Sequence, residues 1–138
     1  MTIKPGQLAP RLEQDTLALG KTVHCHIRLM NDSRWPWIIL IPRLEIVTEF
    51  HELTAESRSA LISQATVTGS FLQRELDSKS INTAMLGNVV TQLHCHVISR
   101  TEGDPCWPAP VWGFGEAVPW PDNTLPGFAK KLLSELNL

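Results

Sequence analysis

The chain reads as an α+β protein built on an antiparallel sheet. Three observations predict this. Apolar and polar residues alternate over Thr22–Met30, TVHCHIRLM, as in a strand with one face in the core. An uninterrupted apolar run, WIILI at 37–41, closes on Pro42 and has the character of a central strand covered on both faces. Between these strands and two later ones, residues 53–76 repeat apolar side chains at helical spacing. Strands, one long helix and strands again give the α+β order.

The elements follow in turn. Leu8, Leu12, Leu17 and Leu19 among polar residues predict a short amphipathic helix over 7–19, ending near Gly20. In the strand over 22–30, Val23, Cys25, Ile27 and Leu29 share the apolar face, with Thr22, His24, His26 and Arg28 opposite. Asn31-Asp32-Ser33 is turn chemistry, and the WIILI strand comes next. Thr54 is placed to cap the long helix, with Glu56 in its first turn, and Leu61, Ala65, Thr68, Leu72 and Leu76 form its stripe. That helix should stop near Asp77-Ser78. Residues 80–86 and 91–100 are the third and fourth strands. The segment 101–126 holds six of the ten prolines and three of the five tryptophans, so it is irregular yet pressed onto the body. A final helix closes the chain over 128–136.

With 138 residues the chain is one domain, 1–138, able to bury a real core. Hydrophobic residues at 43% and charged residues at 19% describe a soluble globular protein. A net charge of −2 offers no general grip on nucleic acid or an anionic membrane, so a phosphate-bearing ligand must be held locally. The opening MTIKPGQLAP has no apolar signal core, and no run reaches the length of a membrane span. Three cysteines without CxxC spacing suit a reduced, cytoplasmic setting.

The triplet His-Cys-His occurs twice, in VHCHI at 23–27 and QLHCHVI at 92–98, and takes up four of the five histidines. In the second copy, strand alternation puts Leu93, Cys95 and Val97 on one face and Gln92, His94 and His96 on the other. Desolvating three nitrogen-bearing side chains in a row is unfavourable without partners. Such a row is suited to gripping phosphate oxygens, and Gly87-Asn88 adds a turn and an amide near its start. Cys95, on the apolar face, is an inert core residue. Among the tryptophans, Trp35, Trp37, Trp107, Trp112 and Trp120, some could wall a base-stacking pocket. The two triplets together could instead offer four imidazoles to zinc. Against this stands the lack of a clustered carboxylate, and no metal or cofactor is expected.

LGNVVTQLHCHVISR resembles the signature of the histidine-triad (HIT) family, three histidines alternating with hydrophobic residues. His94 and His96 fall on the second and third triad positions, and Gln92 stands at the first. WIILIPR, the helix over 53–76 and Gly87 match further family features, so the resemblance covers about 20–100 and leaves 101–138 as an irregular tail. It implies a HIT-like sheet of about five antiparallel strands with the long helix packed on one face. It also implies a homodimer and a nucleotide or nucleotide-conjugate substrate attacked at the α-phosphate by His94 through a nucleotidyl-histidine. His96, Asn88 and Gln92 would hold the phosphoryl oxygens, and Asp32 matches an acidic residue that holds ribose hydroxyls. His24 and His26 would carry no triad role. Two departures stand out: Gln92 cannot carry a proton, and Trp37 occupies a position where many members have a further histidine. A nucleotide sensor that has lost turnover is the alternative function.

Overall fold

The computed structural model describes residues 3–136. Five strands, β1 (Thr16–Lys21), β2 (Cys25–Met30), β3 (Trp37–Pro42), β4 (Ser80–Ala84) and β5 (Cys95–Arg100), form one sheet in the order β1-β2-β3-β5-β4. Every neighbouring pair is antiparallel. Three helices accompany it: α1 (Pro10–Asp15), α2 (Ala55–Leu76) and α3 (Gly127–Leu136).

The ends of α2 follow from local chemistry. Thr54 caps it by accepting a hydrogen bond from the Ser57 N–H, and Asp77 ends it in the left-handed conformation at φ 52°. Its buried stripe of Leu61, Ala65, Thr68 and Leu72 packs with α3 on one face of the sheet, against Ile27, Leu29, Ile38, Leu40, Cys95 and Val97. Each large aliphatic side chain enclosed there contributes about 1.5–3 kcal/mol. The opposite face carries a second core of Leu12, Trp35, Trp37, Ile39, Ile41, Ile98 and Val111, covered by α1 and the C-terminal tail. Thus β3 is covered on both sides, as its continuous apolar sequence requires.

The segment over 7–19 departs from expectation. Only Pro10–Asp15 is helical, and β1 begins at Thr16. Its four leucines do not serve one face: Leu8 and Leu12 join the tryptophan-side core, whereas Leu17 and Leu19 join the α2-side core. A helix cannot reach both layers from one stripe, and a strand added to the edge of β2 can. The strand over 22–30 is also shorter, because Thr22 and Cys25 close a turn through backbone and side-chain hydrogen bonds that leaves Val23 exposed at its tip. Likewise, β4 ends at Ala84 and β5 starts only at Cys95.

The tail is irregular but fastened. The enclosed Arg100 guanidinium donates to Asp104, Asn82 Oδ1 and the Ala109 carbonyl, tying β5, β4 and the tail together. A second fastening joins Asp32 and Arg34 to the Phe114 carbonyl and the Val118 N–H.

Candidate active site

The site lies on the tryptophan side of the sheet, where the loop between β4 and β5 returns into β5. Although β5 proper begins at Cys95, alternation already governs the residues before it. Leu93, Cys95 and Val97 enter the α2-side core, and His94 and His96 emerge on the other side. There they line a cavity of about 320 Å³ with Asn88, a volume suited to a small organic ligand. Its walls are apolar: Trp37 and Ile39 from β3, Met30 from β2, Leu86, Val89 and Val90 from the β4–β5 loop, Leu12 from α1 and Trp112 from the tail.

Each imidazole is oriented by a different partner. His94 Nδ1 lies 2.7 Å from the Gln92 carbonyl oxygen. A carbonyl only accepts, so Nδ1 carries the proton and Nε2 keeps its lone pair. His96 has the reverse arrangement, because its Nδ1 accepts from the Trp37 indole N–H at 2.9 Å. The two rings sit edge to face with centroids 4.9 Å apart, and Trp112 packs 5.3 Å from His96. Burial holds the His94 pKa below its ordinary value against the opposing pull of the Gln92 carbonyl. Burial first, and the neighbouring His94 second, push His96 down to about 3. Both rings are therefore neutral at physiological pH, one presenting a lone pair and the other an N–H.

Asn88, His94 and His96 share the cavity; Gln92 and Asp32 do not. The Gln92 amide is buried and turned towards the N-terminal segment, where Nε2 donates to the Gln7 carbonyl at 3.0 Å and Oε1 accepts from the Ala9 N–H at 2.7 Å. Strand alternation would have aimed this side chain with the histidines, but position 92 precedes β5 and its amide completes two backbone groups instead. What position 92 gives the site is its carbonyl, the anchor of His94. Asp32, the expected ribose contact, accepts a bidentate pair of bonds from Arg34 and one from the Val118 N–H. Burial alone would raise the Asp32 pKa, and these donors together hold it below the usual range. The carboxylate organises the tail that delivers Trp112.

The first His-Cys-His copy lies elsewhere. β3 separates β2 from β5, so the two copies stand two strand spacings, about 10 Å, apart. His26 lines a different depression with Gln7 and Arg28, and His24 Nε2 faces the exposed Glu56 at 3.5 Å. Among the described residues, no group of three His, Cys, Asp or Glu side chains is gathered to hold a metal. The cysteines are unpaired, and burial raises Cys95 to about 11, as suits a core thiol. No described helix is long and apolar enough to cross a membrane.

Sequence reasoning missed the α1 side of the cavity, where Leu12 and the paired Arg11 and Asp15 complete the wall. Those two ions occupy helix positions that read as an ordinary solvent face. Of the five tryptophans, Trp37 and Trp112 line the cavity, whereas Trp35 is enclosed in the core and Trp120 packs on Phe128.

Comparison with known proteins matches residues 11–103 to the HIT domain. The fold is similar to a histidine triad (HIT) protein from Sinorhizobium meliloti, with 43% identity over 94% of this chain and 96% of that one and a TM-score of 0.88. A histidine triad protein from Marinobacter aquaeolei is similar at 38% identity, over 96% of both chains, with a TM-score of 0.87. A Hit-like protein involved in cell-cycle regulation from Bartonella henselae, 14% identical over 91% of this chain and 88% of that one, shares the fold at a TM-score of 0.58. The sequence matches no curated protein. Domain match, full-length relatives and the five-stranded antiparallel fold agree: the chain belongs to the histidine-triad (HIT) family of nucleotide-binding proteins and hydrolases.

Proposed function

We propose that the protein is a nucleotidyl hydrolase or transferase that attacks the α-phosphate of a nucleotide conjugate with His94 Nε2. The observation that carries this is the His94–Gln92 carbonyl hydrogen bond, which fixes the proton on Nδ1 and leaves the other nitrogen nucleophilic in a neutral ring. Covalent transfer to His94 divides one displacement into two with lower barriers. The His96 Nε2–H and the Asn88 amide serve as donors to the phosphoryl oxygens, where negative charge grows in the transition state. Gln92 acts through its backbone, and the apolar walls receive the nucleoside.

Mixing the protein with adenosine and guanosine phosphoramidates and dinucleoside polyphosphates, quenching in acid-free denaturant and measuring intact mass tests the reading. A nucleotidyl adduct that maps to His94 and vanishes in His94→Ala is the expected result. Binding without adduct or turnover would favour the second reading, a nucleotide sensor, which the engagement of the Gln92 amide away from the cavity supports. The protein acts in the cytoplasm as a homodimer in this proposal, supported by family habit and by exposed apolar side chains of the tail outside the cavity, Phe114 and Val118. A mass that stays monomeric across a concentration series in solution scattering would refute the dimer.

A further inference from the structure

Trp37 opens β3 inside the second core, its ring set among Trp35, His96 and Trp112. An indole nitrogen donates one hydrogen bond and accepts none. Because it donates to His96 Nδ1, that nitrogen must keep its lone pair and the ring proton must sit on Nε2. Protonating His96 would set N–H against N–H in a buried place. The neighbouring imidazoles are thus fixed in opposite tautomers, His94 by a carbonyl and His96 by an indole.

We propose that Trp37 is a positioning residue that locks His96 as a neutral Nε2–H donor, and that the site in consequence favours substrates whose leaving group departs as a phosphate oxyanion over those that release an amine. The substrate half rests on the nucleotidyl-transfer reading above; the tautomer half does not.

The surroundings of His96 support both halves. The ionisable groups that share its cavity are His94 and, from α1, Arg11 and Asp15, which pair with each other at 3.2 Å. β3 contributes Trp37 and Ile39, the tail contributes Trp112, and β4 sets Ala84 opposite His96. The Gln92 amide is occupied elsewhere. Among the described residues lining the cavity, none is therefore placed to hand a proton to a departing nitrogen. With an anhydride none is needed. His94 Nε2 uses its lone pair to form the P–N bond, the bridging P–O bond breaks, and its electron pair stays on a phosphate oxygen that is stable as an anion. Water then attacks phosphorus, the P–N electron pair returns to Nε2, and the water proton passes to solvent. A phosphoramidate would put the electron pair on an amine nitrogen that must be protonated as it leaves.

Nitrogen-15 NMR of the histidine rings tests the lock without any substrate. In the wild type we expect pyridine-like Nδ1 and pyrrole-like Nε2 signals for His96, unchanged from pH 8 to pH 5, and an N–N coupling across the hydrogen bond from the Trp37 indole. Trp37→Phe keeps an aromatic ring but removes the donor, so His96 should titrate with a midpoint moving towards about 6.5. An Nδ1–H tautomer in the wild type, or an absent cross-bond coupling, overturns the lock even where Trp37→Phe does not fold. For the substrate half, wild-type kcat/KM should favour a dinucleoside polyphosphate over a phosphoramidate of the same nucleoside by about 10²-fold or more, the low end of what general acid catalysis supplies. Trp37→Phe assayed below pH 6.5 should narrow that ratio. Equal wild-type rates refute the leaving-group preference. Failure to turn over either substrate, with the NMR signature intact, refutes the enzyme reading and leaves the tautomer lock standing.

Discussion

The same three residues, His-Cys-His, occur on β2 and at the start of β5, with different fates. In both copies the cysteine is buried in the α2-side core, but only the β5 copy sends both of its histidines into one cavity on the other side, since His24 faces Glu56 of α2. At the β5 copy each ring meets a partner of fixed polarity, a carbonyl for His94 and an indole N–H for His96, so each nitrogen has an assigned role. At the β2 copy, His24 faces an exposed glutamate, and His26 Nε2 is buried without a hydrogen-bond partner beside Arg28. Alternation makes a histidine row, and the neighbouring donors and acceptors make it chemical.

The largest expected difference between the copies is in turnover. His94→Ala should lower nucleotidyl transfer by about 10³-fold or more, as expected for loss of an activated nucleophile, whereas His26→Ala should stay within about twofold. Steady-state assays on the best substrate measure both, and comparable losses would erase the distinction.

Next is stability around Gln92. Gln92→Ala strands the Gln7 carbonyl and the Ala9 N–H in a partly buried place and should cost about 2–4 kcal/mol by urea denaturation. Gln92→His, which restores the family pattern, should also destabilise, since an imidazole must reproduce both bonds from a different shape. A more stable Gln92→His variant would show that the clasp is dispensable.

The pH dependence of folding sharpens the contrast further. The folded pKa of His96 lies near 3, below its ordinary 6.5, so at intermediate pH the unfolded chain binds a proton that the folded chain refuses. Its contribution is complete above pH 6.5 and is lost as pH falls through 6.5 towards 3. Replacing it, as in His96→Gln, should flatten the stability profile over that range, measured by denaturation at stepped pH. The smallest effect is expected for His24→Ala, within about 0.5 kcal/mol, because its contact with the exposed Glu56 is screened by water.

Much of this was legible in the sequence. Period-two alternation exposed the histidine row, the WIILI run marked a strand covered on both sides, and Thr54 marked the start of α2. The tail's prolines and tryptophans announced a packed irregular segment. What stayed hidden depends on which layer a residue joins. Nothing local separates Leu12, which joins one core, from Leu17, which joins the other, and so β1 read as helix. The Gln92 amide and Asp32 stand at positions where the family pattern places ligand contacts, and their surroundings here could not be read locally. Their partners, Gln7, Ala9, Arg34 and Val118, are set by chain segments whose approach no spacing encodes.

The clasp at Gln92 also bears on how this protein can be recombined. The motif that holds the two imidazoles is not a portable cassette, because one of its side chains is stitched to backbone more than eighty residues upstream. A chimera that transplants residues 85–100 into another scaffold must bring residues 7–15 with it, or it will install an orphaned amide two residues from His94. For the same reason, a bulky fusion that displaces Gln7 and Ala9 would act on the active site from a distance.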